Sequence, residues 1–287
     1  MPTHTILPGV NALGCGFNPF VDTATQYKPT LLTFDYAGDA AQYQNANAAG
    51  TYTDAAETQY SVPKGVTINP GGAGSQESGD VYESRQEVEE SFAAKAGVSG
   101  GFGLFSGSVN ASYSTSTKAT QESYFCRKWR HVSLWSLSLS EHLVDLNKAV
   151  DPRFIEITKA LPSGHKTEAE RKKWDTFFDR YGTHYIAGCQ VGGEATLTVT
   201  LQKSQKSTKQ SVQADMEIAY GSYFKGTGSA SRDKTSDDFR KNSHINKIFE
   251  GGKPTSVDPE NDPNALDAWA NTVIDTPASR DFTMQPI

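Results

Sequence analysis

The run Tyr181-Gly182-Thr183-His184-Tyr185, followed after six residues by Gly192-Gly193, decides how the rest of the chain is read. Ahead of it, Trp174, Phe177 and Phe178 lie at helical spacing among Lys172, Lys173 and Arg180, which predicts a helix entering the run. Thr167 with Glu170 three residues on has the form of a capping box and marks that helix's start. Gly182 predicts its stop, because glycine adopts left-handed backbone angles without a Cβ clash. Tyr185, Ile186 and Val191 restart the chain as strand, and Gly192-Gly193 is expected to loosen or bend it. Beyond the pair, Ala195, Leu197, Val199 and Leu201 alternate with Glu194, Thr196, Thr198 and Thr200. That is the pattern of a strand with one buried face.

The pattern resembles the signature of the membrane attack complex/perforin (MACPF) family, an aromatic-Gly-Thr/Ser-His-aromatic run, six residues, then Gly-Gly. Tyr181, Gly182, Thr183, His184, Tyr185, Gly192 and Gly193 fill every position. Phe154, Ile157 and Leu161-Pro162 resemble the helix and Leu-Pro step that precede it, and Lys247 to Gly252 resembles the family's last core strand with its own glycine pair. The resemblance runs from Gly14 to Ile287. It implies an α+β fold of the MACPF/cholesterol-dependent cytolysin type: a bent, twisted four-stranded antiparallel sheet flanked by two helical clusters that unfurl into membrane β-hairpins. It also implies that Gly192, Gly193, Gly251 and Gly252 act as hinges of the sheet, and that His184 is structural, holding its bend. One domain of this kind is expected over residues 1–287, with no separate C-terminal targeting domain.

Composition agrees with a β-rich or α+β protein: 25 glycines accompany 36% hydrophobic residues. The net charge of −6 argues against nucleic acid as a partner. No run approaches the ~20 apolar residues of a membrane-spanning helix, so insertion would need strands, whose alternation never shows as a long apolar run. Residues 1–16 lack a basic stretch followed by an apolar one, so no signal peptide is read, and the chain is expected as a soluble monomer, secreted or otherwise released, before it meets a membrane. Cys15, Cys126 and Cys189 are too few for a disulfide scaffold. Three buried thiols, or one bridge and a free thiol, remain the readings.

Two segments carry the membrane reading, about 85–125 and 202–247. In the first, Val88, Phe92 and Ala96 are spaced by four, as in a helix, yet Phe102 and Leu104, then Phe105 and Val109, also fall on strand faces. In the second, Val212, Ala214, Met216, Ile218, Tyr220 and Phe224 share one strand face, opposite Gln213, Asp215, Glu217 and Lys225. These ten residues, Phe102, Leu104, Phe105, Val109, Val212, Ala214, Met216, Ile218, Tyr220 and Phe224, are the candidate lipid-facing set. Phe105 to Ser112 also lines up with Phe224 to Ser231. Residues 232–246 are strongly polar and fit a lipid-facing return strand poorly. Asn110-Ala111-Ser112 is a glycosylation sequon, and a glycan there would obstruct insertion.

Elsewhere the sequence predicts a first strand over Leu31–Tyr36, a flexible loop over Lys64–Gly79, a strand over Ser133–Leu139, a helix from Glu141 to Ala160, a short helix from Asp267 to Val273 and an extended end from Phe282. Neither His184 with Cys189 nor Gly97-Val98-Ser99-Gly100-Gly101 comes with the partners a metal site or a nucleophile elbow needs. No enzyme activity, metal or cofactor is expected. The resemblance implies a pore-former that binds membrane lipid, sterol or sphingolipid among the candidates, assembles as a homo-oligomeric ring or arc, and could take a second membrane-binding protein as partner. A non-lytic module of the same fold, binding membrane or receptor without leakage, is the alternative.

Overall fold

A computed structural model describes residues 5–20, 22, 26–36, 49–96, 106–113, 122–140, 149–227, 233–253 and 262–287. In chain order its elements are β1 (Gly16–Phe17), β2 (Gly50–Thr53), β3 (Gln59–Val62), β4 (Val66–Tyr82), α1 (Arg85–Ala96), α2 (Ser106–Tyr113) and β5 (Ser123–Leu139). Then follow α3 (Pro152–Lys159), α4 (Glu168–Tyr181), β6 (His184–Gln202), α5 (Lys209–Phe224), α6 (Asp237–Asn242), β7 (Ser243–Glu250), α7 (Ala265–Thr272) and β8 (Ala278–Pro286). The fold is mixed α+β. Its main sheet runs β1-β6-β5-β4, with β7 and β8 also on β6, and β2–β3 form a separate hairpin. Pairing is antiparallel, from Gly16 opposite Tyr185 at one end of β6 to Leu201 opposite Ser243 at the other.

The chain divides into two compact units: Met1–Gly71 with Trp135–Val191 and Ser279–Ile287, and Gly72–Leu134 with Gly192–Ala278. In the second unit, Ala195, Leu197, Val199 and Leu201 of β6 pack with Tyr124 and Cys126 of β5 against Val212, Met216, Ala219, Tyr220 and Phe224 of α5. Phe239, Leu266, Trp269 and Val273 complete that core. A smaller cluster joins Val88 of α1, Val109 and Tyr113 of α2, and Phe125. Because Phe125 points opposite to its neighbours Tyr124 and Cys126, the sheet here carries helices on both faces.

That arrangement corrects the one-sided reading of residues 194–201. Thr196 and Thr198 are as buried as the leucines, at 3% and 2% exposure. Their polar groups are satisfied locally: Thr198 Oγ1 donates to the Ser112 carbonyl at 3.0 Å, Thr196 Oγ1 donates to Glu194, and Glu194 pairs with Arg127. Alternation of threonine with leucine thus marks two different covers rather than core and solvent. A β-branched hydroxyl can enter a buried face when an acceptor waits for it.

In the first unit, α4 begins at the anticipated capping box: Thr167 Oγ1 accepts from Glu170 N at 3.2 Å and Glu170 Oε2 from Thr167 N at 2.8 Å. It buries Phe177 and Tyr181 with Leu31, surrounded by half-buried Phe154, Ile157, Leu161, Trp174, Phe178 and Tyr185. Helix α3 starts only at Pro152, where Asp151 Oδ1 accepts from Arg153 N at 2.7 Å. Proline suits a first helical position, since its missing N–H would be orphaned there anyway. Residues 149–151, expected inside a helix from Glu141 to Ala160, are not helical, and residues 141–148 lie outside the described set.

Three further expectations differ from the structure. Residues 64–79 are mostly strand: Val66–Tyr82 is one of the two 17-residue strands. It sits at the end of the sheet order, where Pro70 costs no essential ladder bond. Residues 69–71 and 74–79 are exposed, so no alternation advertises the strand. Leu31–Tyr36 forms no strand. Leu31 and Leu32 are buried, but the segment holds only the bridge of Leu32 to Val150. The strand expected from Ser133 begins ten residues earlier at Ser123, and the hairpin over residues 50–62 went unread.

Candidate functional site

The signature run forms a corner between α4 and β6. Gly182 caps the helix at φ +77°, its N–H donating to the Phe178 carbonyl at 2.7 Å. A Cβ on Gly182 would lie 2.4 Å from the Phe17 carbonyl oxygen, and one on Gly16 would lie 1.8 Å from that of Tyr181. Two glycines let β1 and the corner touch backbone to backbone. Thr183 N donates to the Phe17 carbonyl at 3.1 Å, and Ile287 N to that of Thr183 at 3.1 Å. Tyr181 packs edge-on to Phe154, with centroids 5.2 Å apart. Tyr185 stands opposite Gly16 and is half-buried.

His184 lies opposite Phe17, with Nδ1 2.8 Å from Thr183 Oγ1. Burial holds its imidazole below the ordinary value. The sign follows: above about pH 6.5 both folded and unfolded forms are neutral, and below it the unfolded chain takes the proton first. Stability at this corner therefore falls as pH drops from about 6.5 to the lowered folded value, then levels. His184→Gln should flatten that part of a melting-temperature profile between pH 7 and 5. An unchanged slope would remove His184 as its source. Among the described residues no group of His, Cys, Asp and Glu could hold a metal. Cys15, Cys126 and Cys189 are buried free thiols, pushed up by burial to about 11, 12 and 12.

The glycine pairs sit where strands crowd. A Cβ on Gly192 would come within 1.9 Å of the Val132 carbonyl oxygen, and one on Gly193 within 2.7 Å of Val273 Cγ2. Gly251 and Gly252 have φ of +68° and +70°, just past the end of β7, and Gly252 faces the Trp269 indole.

The candidate lipid-facing residues of the second segment lie on α5. Val212, Met216, Tyr220 and Phe224 are buried in the main core, Ile218 is half-buried and Ala214 is exposed. The four buried positions are separated by four residues each. That spacing falls on one helix face with a slow drift and also on one face of a strand. In the first segment Val109 is fully buried in α2, while Phe102, Leu104, Phe105 and the residues 97–101 lie outside the described set. The two Gly/Ser blocks that line up in sequence differ in conformation: residues 106–113 are helix, whereas α5 ends at Phe224 and Gly226 turns at φ +60°. Asn110 Oδ1 accepts from Arg85 Nη2 at 3.0 Å, so the sequon's side chain is part of the α1–α2 packing. The polar stretch after Asp233 holds α6 and the start of β7, with Asp215 of α5 accepting from Ser236 N and Oγ at 2.8 and 2.6 Å.

Sequence reading missed the ion pairs that fasten α5 to the sheet. Lys225 meets Glu77 at 2.8 Å, Lys209 meets Glu83 at 3.9 Å, and Glu217 pairs with Lys128. The partners are far apart along the chain, so no local spacing announces them. Lys128 and Lys225 also stand 5.2 and 5.7 Å from the Tyr220 ring centre. Tyr220 Oη is buried without a hydrogen-bond partner among the described residues, and burial pushes its phenol up. An unpaired buried hydroxyl costs about 1–3 kcal/mol. Tyr220→Phe should accordingly stabilise the protein by about 1 kcal/mol in urea denaturation; a loss of stability would show that the hydroxyl is bonded.

Comparison with known proteins agrees with this mixed α+β fold. The MAC/Perforin domain family model matches residues 6–287. Among solved structures, GNIP1Aa from Chromobacterium piscinae superposes with a TM-score of 0.69 at 23% identity, covering 99% of this chain and 53% of that one. A MAC/Perforin-domain protein from Bacteroides thetaiotaomicron VPI-5482 gives a TM-score of 0.58 at 15% identity, covering 100% of this chain and 58% of that one. The chain thus spans little more than half the length of these two relatives. With a family model across nearly its whole length and the signature residues at the α4–β6 corner, the chain belongs to the MAC/Perforin domain family.

Proposed function

We propose that this protein forms pores. It binds membrane lipid, assembles edge to edge into a ring or arc of its own copies, and converts residues of about 85–125 and 202–247 into β-hairpins that close as a transmembrane barrel. The observation that carries this reading is the stripe Val212, Met216, Tyr220 and Phe224, buried together on α5 yet fit to share the lipid face of a strand. A barrel leaves no unpaired strand edge in lipid. Gly192, Gly193, Gly251 and Gly252 would serve as the places where the ladder gives. No helix among the described residues is long and apolar enough to cross a membrane. Catalysis has no part in this scheme.

The polar residues Lys234, Asp237, Asp238, Arg240 and Lys241 favour a second reading, a non-lytic module that binds without inserting. A charge on the lipid face near the midplane costs about 2–4 kcal/mol, so these residues must face a lumen or stay outside. Dye release from liposomes with and without sterol and sphingolipid, run beside a pelleting assay, separates the two. Leakage with oligomers in the pellet is expected. Pelleting without leakage would replace the pore with the binding module.

A further inference from the structure

The described residues include a surface cleft of about 390 Å³ that plays no part in the hairpins, lined by Ser163, Gly164, His165, Arg171, Trp174, Asp175 and Phe178. Its size is that of a small-ligand pocket. One wall is the turn before α4. The other is a stripe of α4, since Arg171, Trp174, Asp175 and Phe178 fall at i, i+3, i+4 and i+7. Trp174 and Phe178 stack with ring centres 5.7 Å apart and planes 25° apart. The indole is held in place, because Trp174 Nε1 donates to the Gly164 carbonyl at 3.1 Å.

The polar groups around this aromatic floor are of both signs. Asp175 is exposed and makes no hydrogen bond or ion pair among the described residues, and the exposed Arg171 spends one guanidinium nitrogen on the Lys166 carbonyl at 2.7 Å. His165 also lines the cleft and can offer a second donor. Aromatic faces attract a quaternary ammonium, most strongly when the ring is tryptophan. A carboxylate beside them completes the counter-charge, and a guanidinium fork matches phosphate oxygens. An ammonium and a phosphate joined by a short linker is a phosphocholine group.

We propose that this cleft binds the phosphocholine headgroup of a lipid, with the trimethylammonium on Trp174 and Phe178 beside Asp175, and the phosphate on Arg171 and His165. The membrane source rests on the membrane binding in the proposed function; the recognition chemistry does not.

Titration calorimetry of the full chain with free phosphocholine, choline and inorganic phosphate tests it. Saturable binding of phosphocholine is expected at a Kd of about 1 mM, the range open to a ligand of this size on an open site. Asp175→Asn should weaken choline and phosphocholine about tenfold and leave phosphate unchanged. Arg171→Gln should weaken phosphate and phosphocholine about tenfold and leave choline unchanged. Both positions are exposed, so neither variant threatens the fold. Pelleting with phosphatidylcholine vesicles but not phosphatidylglycerol vesicles, lost in Asp175→Asn, would identify the lipid as the source. No saturable phosphocholine binding, or binding indifferent to both variants, overturns the site. Binding of the free ligand without pelleting on phosphatidylcholine overturns the lipid assignment. Because binding is read without leakage, headgroup binding in a non-lytic protein would sink the pore alone, and leakage without headgroup binding would sink the cleft alone.

Discussion

A protein with cysteines at 112 and 198 is expected to lose nearly all dye release when oxidised and to regain it on reduction. Thr198 Oγ1 lies 3.0 Å from the Ser112 carbonyl, which brings α2 onto the centre of β6. A disulfide there would tie the first segment proposed to convert to the strand it would have to leave. Conversion of α2 into a hairpin strand would carry residue 112 away from residue 198, and a covalent bond forbids that at any lipid composition. The effect should therefore be a loss of about 100-fold or more in leakage rate, larger than a weakened contact would give. The native thiols interfere little. Cys126 and Cys189 are buried and pushed up to about 12, and Cys15 to about 11, so few thiolates exist to compete in exchange. Pelleting of the oxidised protein should persist, since in the proposed function binding and edge pairing would come before the blocked step. Unchanged leakage with the disulfide intact would exclude release of α2 and with it the hairpin mechanism.

The corner at residues 167–186 was legible because each of its devices is local. The capping box, the glycine stop and the restarted strand are all set by residues within four positions of one another, and the structure has each of them. The strand at Lys247 with its glycine pair was legible only through the family resemblance and starts four residues earlier, at Ser243, and the extended end read from Phe282 lies in a strand that starts at Ala278. Strand β4 was not legible. A glycine- and serine-rich edge exposed over much of its length satisfies its backbone through β5 and needs no apolar face, so composition looked like a loop. The covered threonine face of β6 was hidden for a related reason: Thr198 meets α2, about 85 residues away in sequence. The lipid-facing residues of the second segment read as a strand and sit in a helix. A spacing of four serves both periods, and the pattern alone holds no information about which state is occupied before a membrane is present.

The glycines of the signature give the second large effect, and they separate packing from flexibility. Gly182→Ala would place a side chain at φ +77° and drive its Cβ to within 2.4 Å of the Phe17 carbonyl oxygen and 2.5 Å of its carbon. Neither neighbour is the end of a flexible side chain, so β1 must move off β6 or the helix must fray. A left-handed alanine alone costs about 1–2 kcal/mol, and with the backbone clash the total should exceed about 3 kcal/mol. Gly192→Ala should cost a comparable amount for a different reason, since its Cβ would meet the Val132 carbonyl oxygen at 1.9 Å. Gly221→Ala is the contrast. It lies inside α5, the nearest atom to its Cβ would be Thr227 Oγ1 at 3.7 Å, and alanine is favoured over glycine in a helix by about 0.5–1 kcal/mol. It should raise the urea midpoint, and if α5 must unwind to insert, it should slow leakage while leaving pelleting unchanged. Equal tolerance of alanine at 182, 192 and 221 would mean that the strands accommodate side chains where their backbones now touch, and the close-packed corner would lose its claim to set the fold.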